Sequence, residues 1–341
     1  MTGTKTEKIG VVLFNLGGPD SLEAVEPFLY NLFQDPDIFT FPLASLLRKP
    51  LAKLISSRRA PKSRVYFEYM GGKSPITELT QKQADALEKT LNYPSSRTGE
   101  GDKRFKVVIA MRYWKPFTED AIRLLQEEGI RKVILLPLFP QYSHTTTRSS
   151  LREWRKQCRK MKARFEKEIF IDDYHDHPLY IRSVAERIRE AKNRFTSEEQ
   201  REVHLLFSAH GIPLKEIRQG DPYDRQIRRS VELVMAELSP SWPHRLAYQS
   251  KVGPARWLEP STVDVLGAMA QEGIRYVIAV PISFVSDHSE TLYELKKLYG
   301  ELAMSLGMKQ YELMPALNDS PLFIEALKSQ VLRALDSQDS A

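Results

Sequence analysis

Residues Val277–Leu295 read VIAVPISFVSDHSETLYEL, and this stretch indicates both the fold class and the chemistry. It begins as a run of apolar and β-branched residues without alternation, which is typical of a strand buried on both faces. It then passes through Asp287 and His288 into a segment with helical spacing. In open parallel sheets, ligands bind where a strand ends and a helix begins. The stretch therefore predicts an α/β protein with a binding site at this strand end.

The acidic residues of this stretch have a regular spacing. Asp287, Glu290 and Glu294 stand at positions i, i+3 and i+7, which an α-helix would place on one face. Three carboxylates and a histidine this close repel one another unless a cation or protons neutralise them. The alternative is a solvated helix N-terminus, where the helix dipole favours acidic residues. The spacing alone leaves both interpretations open.

An internal repeat divides the chain into two similar halves. Residues 128–134 (EGIRKVI) resemble residues 272–278 (EGIRYVI), 144 residues further on, and the same offset pairs His144 with His288. A looser match sets LFNLGG at 13–18 beside LFSAHG at 206–211. We predict two Rossmann-like domains, residues 8–163 and 164–333, each a parallel sheet flanked by helices. The active-site cleft is predicted to lie between them.

The composition excludes several classes of protein. With 42% hydrophobic and 28% charged residues, the 341-residue chain is typical of a soluble globular protein. The net charge of +6 is too small to indicate nucleic-acid binding. The single cysteine, Cys158, excludes an intramolecular disulfide and a cysteine-ligated iron–sulfur cluster within one chain. Because no apolar run reaches transmembrane length and the first residues are polar, we expect a cytoplasmic protein.

Residues 38–55, which we call the lip, alternate between apolar and basic side chains. Pro42 and Pro50 are expected to interrupt any single long helix here. One interpretation is an amphipathic helix that packs on the core and exposes a basic face. The other is an apolar surface beside cations, suited to an apolar, anionic ligand or to peripheral contact with an anionic inner membrane.

Two further predicted strands deliver polar side chains at their ends. His210 follows the buried strand 203–208, next to a glycine, where it can accept a proton or bind a metal; a structural histidine is the alternative. Arg112 and Tyr113 end the strand 106–114, where a ligand would be met. The Gly17-Gly18 pair lacks the further motif of a phosphate loop and predicts a tight turn.

In their order along the chain, the motifs resemble those of the ferrochelatase family, whose members insert ferrous iron into a porphyrin. The matching segments are NLGGP (15–19), GGKSPI (71–76), Arg112-Tyr113, PQYS (140–143), FSAHGIP (207–213), QSKVGP (249–254) and SDHSETLYE (286–294). Each segment alone is weak, but all of them in order are highly specific. The resemblance implies a lyase that converts protoporphyrin IX and Fe²⁺ into protohaem and two protons, the last step of haem synthesis.

The resemblance also implies roles for individual residues. His210 and Glu290 would face the porphyrin centre and bind Fe²⁺, with Asp287, His288 and Glu294 behind them. The residues predicted to contact the porphyrin are Arg59, Lys62, Ser74, Arg112, Tyr113, Ser250 and Trp257. No cofactor is expected, and the cysteine count implies that the [2Fe–2S] cluster of some members is absent.

The sequence leaves three alternatives for the function and one open question about assembly. The chain could use coproporphyrin instead of protoporphyrin, insert cobalt into a corrin precursor, or carry haem or metal without catalysis. The sequence does not decide the oligomeric state.

Overall fold

The computed structural model describes residues 7–39, 44–93, 103–238, 242–251 and 255–339, with the side chains of 44–46 and 338–339 left out. The chain divides into two compact units. Unit 1 contains residues up to 138, residues 144–173 and the segment from 323 onward; unit 2 contains residues 139–143 and 174–322.

The core of unit 1 is a four-stranded parallel sheet in the order β2-β1-β3-β4. Its strands are β1 (Glu7–Asn15), β2 (Lys103–Met111), β3 (Lys132–Pro137) and β4 (Lys167–Phe170). The helices of this part of the chain are α1 (Val25–Gln34), α2 (Ala44–Tyr69), α3 (Ile76–Leu91), α4 (Thr118–Glu127), a first π-helix (His144–Arg148) and α5 (Ser149–Met161).

Unit 2 repeats this plan, with a parallel sheet in the order β6-β5-β7-β8. Its strands are β5 (Val203–His210), β6 (His244–Gln249), β7 (Tyr276–Pro281) and β8 (Gln310–Leu313). The helices that follow α5 are α6 (Pro178–Lys192), a 3₁₀ turn (Glu199–Arg201), α7 (Leu214–Arg218), α8 (Tyr223–Leu238), α9 (Thr262–Gln271), a second π-helix (Glu290–Leu298), α10 (Tyr299–Ser305) and α11 (Pro321–Asp339), which returns to unit 1.

The central strands are buried on both faces, as the apolar runs predict. In β1, every residue from Ile9 to Asn15 is buried, and all six residues of β7 are buried. On one face of the first sheet, Val12 and Phe14 pack with residues of α4 and α5, including Trp154. Burial of this kind contributes about 1.5–3 kcal/mol for each large apolar side chain.

The predicted repeat is confirmed in the elements themselves. β3 and β7 begin and end 144 residues apart, and so do α4 and α9. In both units the third strand in sequence is followed by a π-helix. The predicted class, two parallel sheets flanked by helices, is therefore confirmed, while the position of the cleft stays a prediction.

One expectation from the sequence was wrong. In the described part of the lip, Pro50 does not interrupt the helix, because α2 continues through it. The same helix also continues through Pro61, beyond the lip. Its buried residues Ala52, Ala60 and Phe67 pack in one cluster with α1, and this packing offsets the backbone hydrogen bonds that the prolines remove. Residues 40–43 of the lip lie outside the described residues.

The compact units are divided at other residues than the predicted boundary of 163 and 164, and the predicted domains stay a prediction. The chain does not leave the first unit at residue 163, because β4 pairs with β3 and extends unit 1 to residue 173. Near the end of the chain, α11 joins unit 1 from Phe323 onward.

Within the described parts of the chain, no helix combines the length and the apolar character needed to cross a membrane.

Candidate active site

The candidate active site of unit 2 lies at the carboxyl ends of two paired strands. β5 ends at His210, and its parallel neighbour β7 leads through a short connection to Glu290, the first residue of the second π-helix. His210 Nδ1 lies 2.8 Å from Glu290 Oε2. The structure thus places in hydrogen-bonding contact the two residues for which the sequence predicts iron binding.

His210 and Glu290 form a partly exposed pair, with 35% and 27% of their side-chain surfaces accessible. Burial is the largest effect on the pKa of His210 and lowers it, but the charge and hydrogen bond of Glu290 and the charge of Glu294 together raise it above its ordinary value. Burial raises the pKa of Glu290, whereas the charge and hydrogen bond of His210, with the charge of His288, bring it below its ordinary value. The two shifts favour an imidazolium paired with a carboxylate.

The orientation of the His210 ring is set by its neighbours. Its backbone N–H donates to Ser283 Oγ at 2.9 Å, and its ring stands edge-on to Phe284 with centroids 6.2 Å apart. Phe284 in turn contacts His288, with centroids 4.8 Å apart. Among the described residues, none forms a hydrogen bond with His210 Nε2. That nitrogen therefore remains for a ligand.

The three acidic residues of the Val277–Leu295 stretch each have different hydrogen-bond partners. Asp287 precedes the π-helix, and its carboxylate accepts hydrogen bonds from Asn318 Nδ2 and Thr291 Oγ1, both at 2.9 Å. Glu290 pairs with His210, and Glu294 binds the end of β6. Hydrogen-bond donors on different segments therefore contact each of these carboxylates.

His288 is buried beside this site and also has a defined partner. Its Nδ1 lies 3.0 Å from the carbonyl oxygen of Ser286, so Nδ1 carries the proton in that contact. Its own backbone N–H donates to Thr291 Oγ1 at 3.0 Å. The predicted supporting position of His288 fits this geometry, and its role stays a prediction.

Ser250 and Trp257 lie on the segment that follows β6. Ser250 is bound by Glu294 through both its backbone N–H and its hydroxyl group. Trp257 is half-buried, forms an isolated antiparallel β-bridge with Pro213 and lies close to Gly211. A side chain at Gly211 would lie 2.8 Å from the carbonyl oxygen of Gln249 and 3.4 Å from the Trp257 ring, so only glycine fits the space beside His210.

Arg112 and Tyr113 have an internal partner in unit 1. Tyr113 is wholly buried, and its hydroxyl donates to Asp35 Oδ2 at 2.7 Å. The Arg112 guanidinium binds the same oxygen at 2.8 Å and lies over the Tyr113 ring. Tyr113 therefore has no exposed surface in this structure. The porphyrin contacts predicted for Arg112 and Tyr113 stay predictions.

The remaining predicted contact residues are spread over unit 1. Ser74 is buried beside Gly18, and its backbone N–H donates to the carbonyl oxygen of Pro19 at 2.8 Å. Arg59 and Lys62 lie on the exposed side of α2, with the Arg59 guanidinium over the Phe33 ring. The structure does not bring these three residues into contact with one another.

A comparison of the sequence with known families gives one match that spans nearly the whole chain. The family model described as Ferrochelatase matches residues 8–335. The chain belongs to the ferrochelatase family. Ferrochelatases are chelatases of the lyase class, and their metal-insertion reaction is the terminal step of haem synthesis.

Individual ferrochelatases are similar over the same range. The chain is 50% identical to the ferrochelatase of Aquifex aeolicus over 324 residues, covering 95% of this chain and 98% of that one. It is 44% identical to the ferrochelatase of Gloeobacter violaceus over 333 residues, covering 96% and 98%. Among solved structures, SirB from Bacillus subtilis with Fe³⁺ has a TM-score of 0.56 at 10% identity and covers 98% of both chains. At that identity the likeness concerns the fold alone.

Several residues around the ferrochelatase site were missed by the sequence reasoning. They are Gln249, Ser283, Tyr299 and Asn318, which hold His210, Glu294 and Asp287 through hydrogen bonds. Gln249 had a detectable signal, because it is the first residue of the QSKVGP motif. The other three gave none, since their partners are distant in sequence or belong to a helix with unusual spacing.

Proposed function

We propose that this ferrochelatase inserts Fe²⁺ into protoporphyrin IX, giving protohaem and two protons. The observation that carries the proposal is the contact of 2.8 Å between His210 Nδ1 and Glu290 Oε2 at the edge shared by β5 and β7. A dication can replace two pyrrole protons only if a base accepts them, and this pair supplies an imidazole and a carboxylate side by side. Imidazole and carboxylate groups also suit Fe²⁺ as ligands.

The two residues have complementary tasks in this proposal. With Nδ1 directed at Glu290, His210 uses Nε2 toward the porphyrin, where it accepts a pyrrole proton or meets the iron. The Glu290 carboxylate stabilises the imidazolium that results and takes part in passing the proton on. Binding the ring in a bent form would expose its nitrogen lone pairs, and the rest of the pocket would supply the energy for that distortion.

We also propose that the reaction requires no resident cofactor and no [2Fe–2S] cluster. The only cysteine, Cys158, is buried in α5, and burial, together with the charge of Glu168, raises the pKa of its thiol to about 12. A thiol held in this state is a poor metal ligand, because metals bind the thiolate. Porphyrin and iron are both substrates here.

The test is an anaerobic assay of the purified chain with protoporphyrin IX and Fe²⁺, in which haem absorbance and released protons are measured together. His210→Ala and Glu290→Ala should each lose at least about 99% of the activity, the loss typical of a residue in acid–base catalysis. His204→Ala and Glu301→Ala serve as matched controls, because both residues lie in exposed contacts elsewhere in unit 2.

Parallel assays distinguish the alternatives. Coproporphyrin carries more carboxylates than protoporphyrin, and a preference for it would replace the proposed substrate while leaving the chemistry intact. Porphyrin binding without turnover in the parent chain, with the same affinity in His210→Ala, would refute the proposal in favour of a carrier. Wild-type rates in either active-site variant would refute the role of that residue.

We further propose that the enzyme is cytoplasmic and contacts the inner membrane peripherally through residues 38–55. In the described part of the lip, Leu47 and Leu54 are 49% and 44% exposed, and basic residues such as Lys49 lie between them. Apolar side chains flanked by cations suit an anionic lipid surface. Sedimentation with anionic vesicles, but not with neutral ones, is expected, and Leu47→Asp with Leu54→Asp should abolish it.

A further inference from the structure

Ser250, the residue directly after β6, has an unusual backbone conformation. Its φ is +66°, in the left-handed region that residues other than glycine, asparagine and aspartate rarely adopt. Such a conformation persists only when the surrounding structure imposes it. The contacts of Ser250 therefore identify what holds the end of β6 in place.

Glu294, in the second π-helix, makes those contacts. Its Oε1 accepts hydrogen bonds from the Ser250 backbone N–H at 3.0 Å and from the Tyr299 hydroxyl at 2.8 Å. Its Oε2 accepts from the Ser250 hydroxyl at 2.6 Å and from Gln249 Nε2 at 3.2 Å. An ionised carboxylate has about four acceptor positions, so these four donors occupy all of them. Glu294 has none left for a cation.

The end of β6 passes this constraint on toward His210. The carbonyl oxygen of Gln249 accepts the backbone N–H of Gly211 at 2.8 Å, and Gly211 follows His210 directly. The Gln249 side chain accepts from Ser208 Oγ at 2.9 Å, two residues before His210 in β5. Through Gln249, the contacts of Glu294 thus reach the Ser208 hydroxyl before His210 and the backbone of Gly211 after it, and Gly211 lies beside Trp257.

We infer that Glu294 is a positioning residue for porphyrin binding: it holds Ser250 in its left-handed conformation and thereby fixes the β6 end, and it does not serve iron. The inference rests on the proposed function, since it concerns the same porphyrin. It also changes the role of Ser250, whose two donor groups both point to Glu294. Ser250 supports the wall of the site instead of donating a hydrogen bond to an anionic substrate.

The experiment measures porphyrin and iron separately in Glu294→Gln. In glutamine an NH₂ group replaces one carboxylate oxygen, and this group cannot accept hydrogen bonds from the donors that surround Glu294. The four contacts therefore cannot all be kept. The dissociation constant of metal-free protoporphyrin, from a Soret titration, should rise by about fivefold to thirtyfold, the factor that corresponds to the cost of one left-handed residue. The KM for Fe²⁺ should stay within about twofold, a change that corresponds to less than one hydrogen bond. Glu301→Gln, which changes an exposed carboxylate in α10, is the control.

A second pair of variants gives a readout that general damage would not produce. In the Glu294→Gln background, Ser250→Gly should recover most of the porphyrin affinity, because glycine adopts positive φ without cost; Ser250→Ala should not. Tyr299→Phe removes one of the four donors and should shift the affinity in the same direction by a smaller factor. This milder variant keeps the test valid if Glu294→Gln does not fold.

The outcomes separate this inference from the proposed function. A raised KM for Fe²⁺ with unchanged porphyrin affinity would overturn the positioning role and assign Glu294 to iron. Equal affinities in the glycine and alanine variants would overturn the role of the backbone conformation. If the parent chain binds porphyrin without metallating it, the proposed function fails, and the porphyrin titrations still decide the role of Glu294.

Discussion

Replacing Asp35 by alanine is expected to destabilise unit 1 by about 3–5 kcal/mol, the usual cost of removing one partner of a buried ion pair. The Asp35 side chain has no exposed surface, and its Oδ2 accepts from Arg112 and Tyr113 at 2.8 and 2.7 Å, and from the Ser149 hydroxyl. Its Oδ1 accepts the backbone N–H of Asp37 at 2.8 Å. These contacts join the end of α1 to the end of β2 and the start of α5.

The magnitude follows from what the substitution leaves behind. The Arg112 guanidinium is only 14% exposed, and its next acidic neighbour, Glu153, is 3.9 Å away. This second carboxylate compensates part of the charge, so the loss should not exceed the upper end of the range. At about 2 °C per kcal/mol for a chain of more than 150 residues, the thermal midpoint should fall by roughly 6–10 °C.

Circular dichroism of thermal and urea unfolding measures this effect. Glu166→Ala is the control, because it removes an ion pair with Arg131 in which both side chains are mostly exposed, and such pairs contribute about 0–1 kcal/mol. Tyr113→Phe should cost about 1–2 kcal/mol by itself and less in the Asp35→Ala background, since its partner is already gone. A loss in Asp35→Ala no larger than in Glu166→Ala would show that this network does not stabilise the fold.

Three further predictions concern unit 2 and α5. The NMR titration midpoint of His210 should lie above 6.5 in metal-free protein and fall in Glu290→Gln, because burial lowers the pKa of His210 and the negative charge that raises it is then removed. Activity should rise with pH through that midpoint, since only the neutral imidazole accepts a proton. Cys158, with its thiol pKa at about 12, should react with iodoacetamide at pH 8 far more slowly in folded than in urea-unfolded protein. Gly211→Ala should cost about 1–3 kcal/mol and most of the activity, because the new methyl group would meet the Gln249 carbonyl oxygen at 2.8 Å.

The elements with unbroken apolar runs could be predicted from the sequence. β1, β5 and β7 have this pattern, and the repeat that relates 128–134 to 272–278 places β3 and β7 in equivalent positions of two sheets. The positions of His210 and Glu290 near strand ends could be predicted for the same reason, but their pairing as iron ligands was implied only by the family resemblance. Parallel strands end at one edge, so side chains distant in sequence meet there.

Other features depend on contacts that the sequence does not display. β4 and β8, with sequences KEIF and QYEL, are short edge strands without an apolar run. The internal partner of Arg112 and Tyr113 could not be foreseen, because Asp35 is distant in sequence and lies among residues that suggest only a helix end. The continuation of α2 through Pro50 likewise depends on its packing against α1.

Glu290 and Glu294, four positions apart in the π-helix Glu290–Leu298, contact the ends of two different strands. In an α-helix of 3.6 residues per turn, a residue four positions on lies slightly beyond one full turn and points in nearly the same direction. With the i→i+5 hydrogen bonds of a π-helix the turn is wider, so Glu294 lies slightly short of one full turn and still points in nearly the same direction as Glu290. The two side chains reach neighbouring strand ends, because His210 pairs with Gln249: Glu290 contacts His210 at the end of β5, and Glu294 contacts Ser250 directly after β6.

The number of donors around each carboxylate then separates their chemistry. Glu294 accepts four hydrogen bonds, whereas the Glu290 side chain accepts one among the described residues, from a histidine that itself titrates. A saturated carboxylate is fixed in place and resists ligation, while one with free acceptor positions beside an imidazole can exchange a proton or a metal ion. The same residue type thus provides a support and a reactive group within one helix, and the number of donors around each carboxylate separates the two roles.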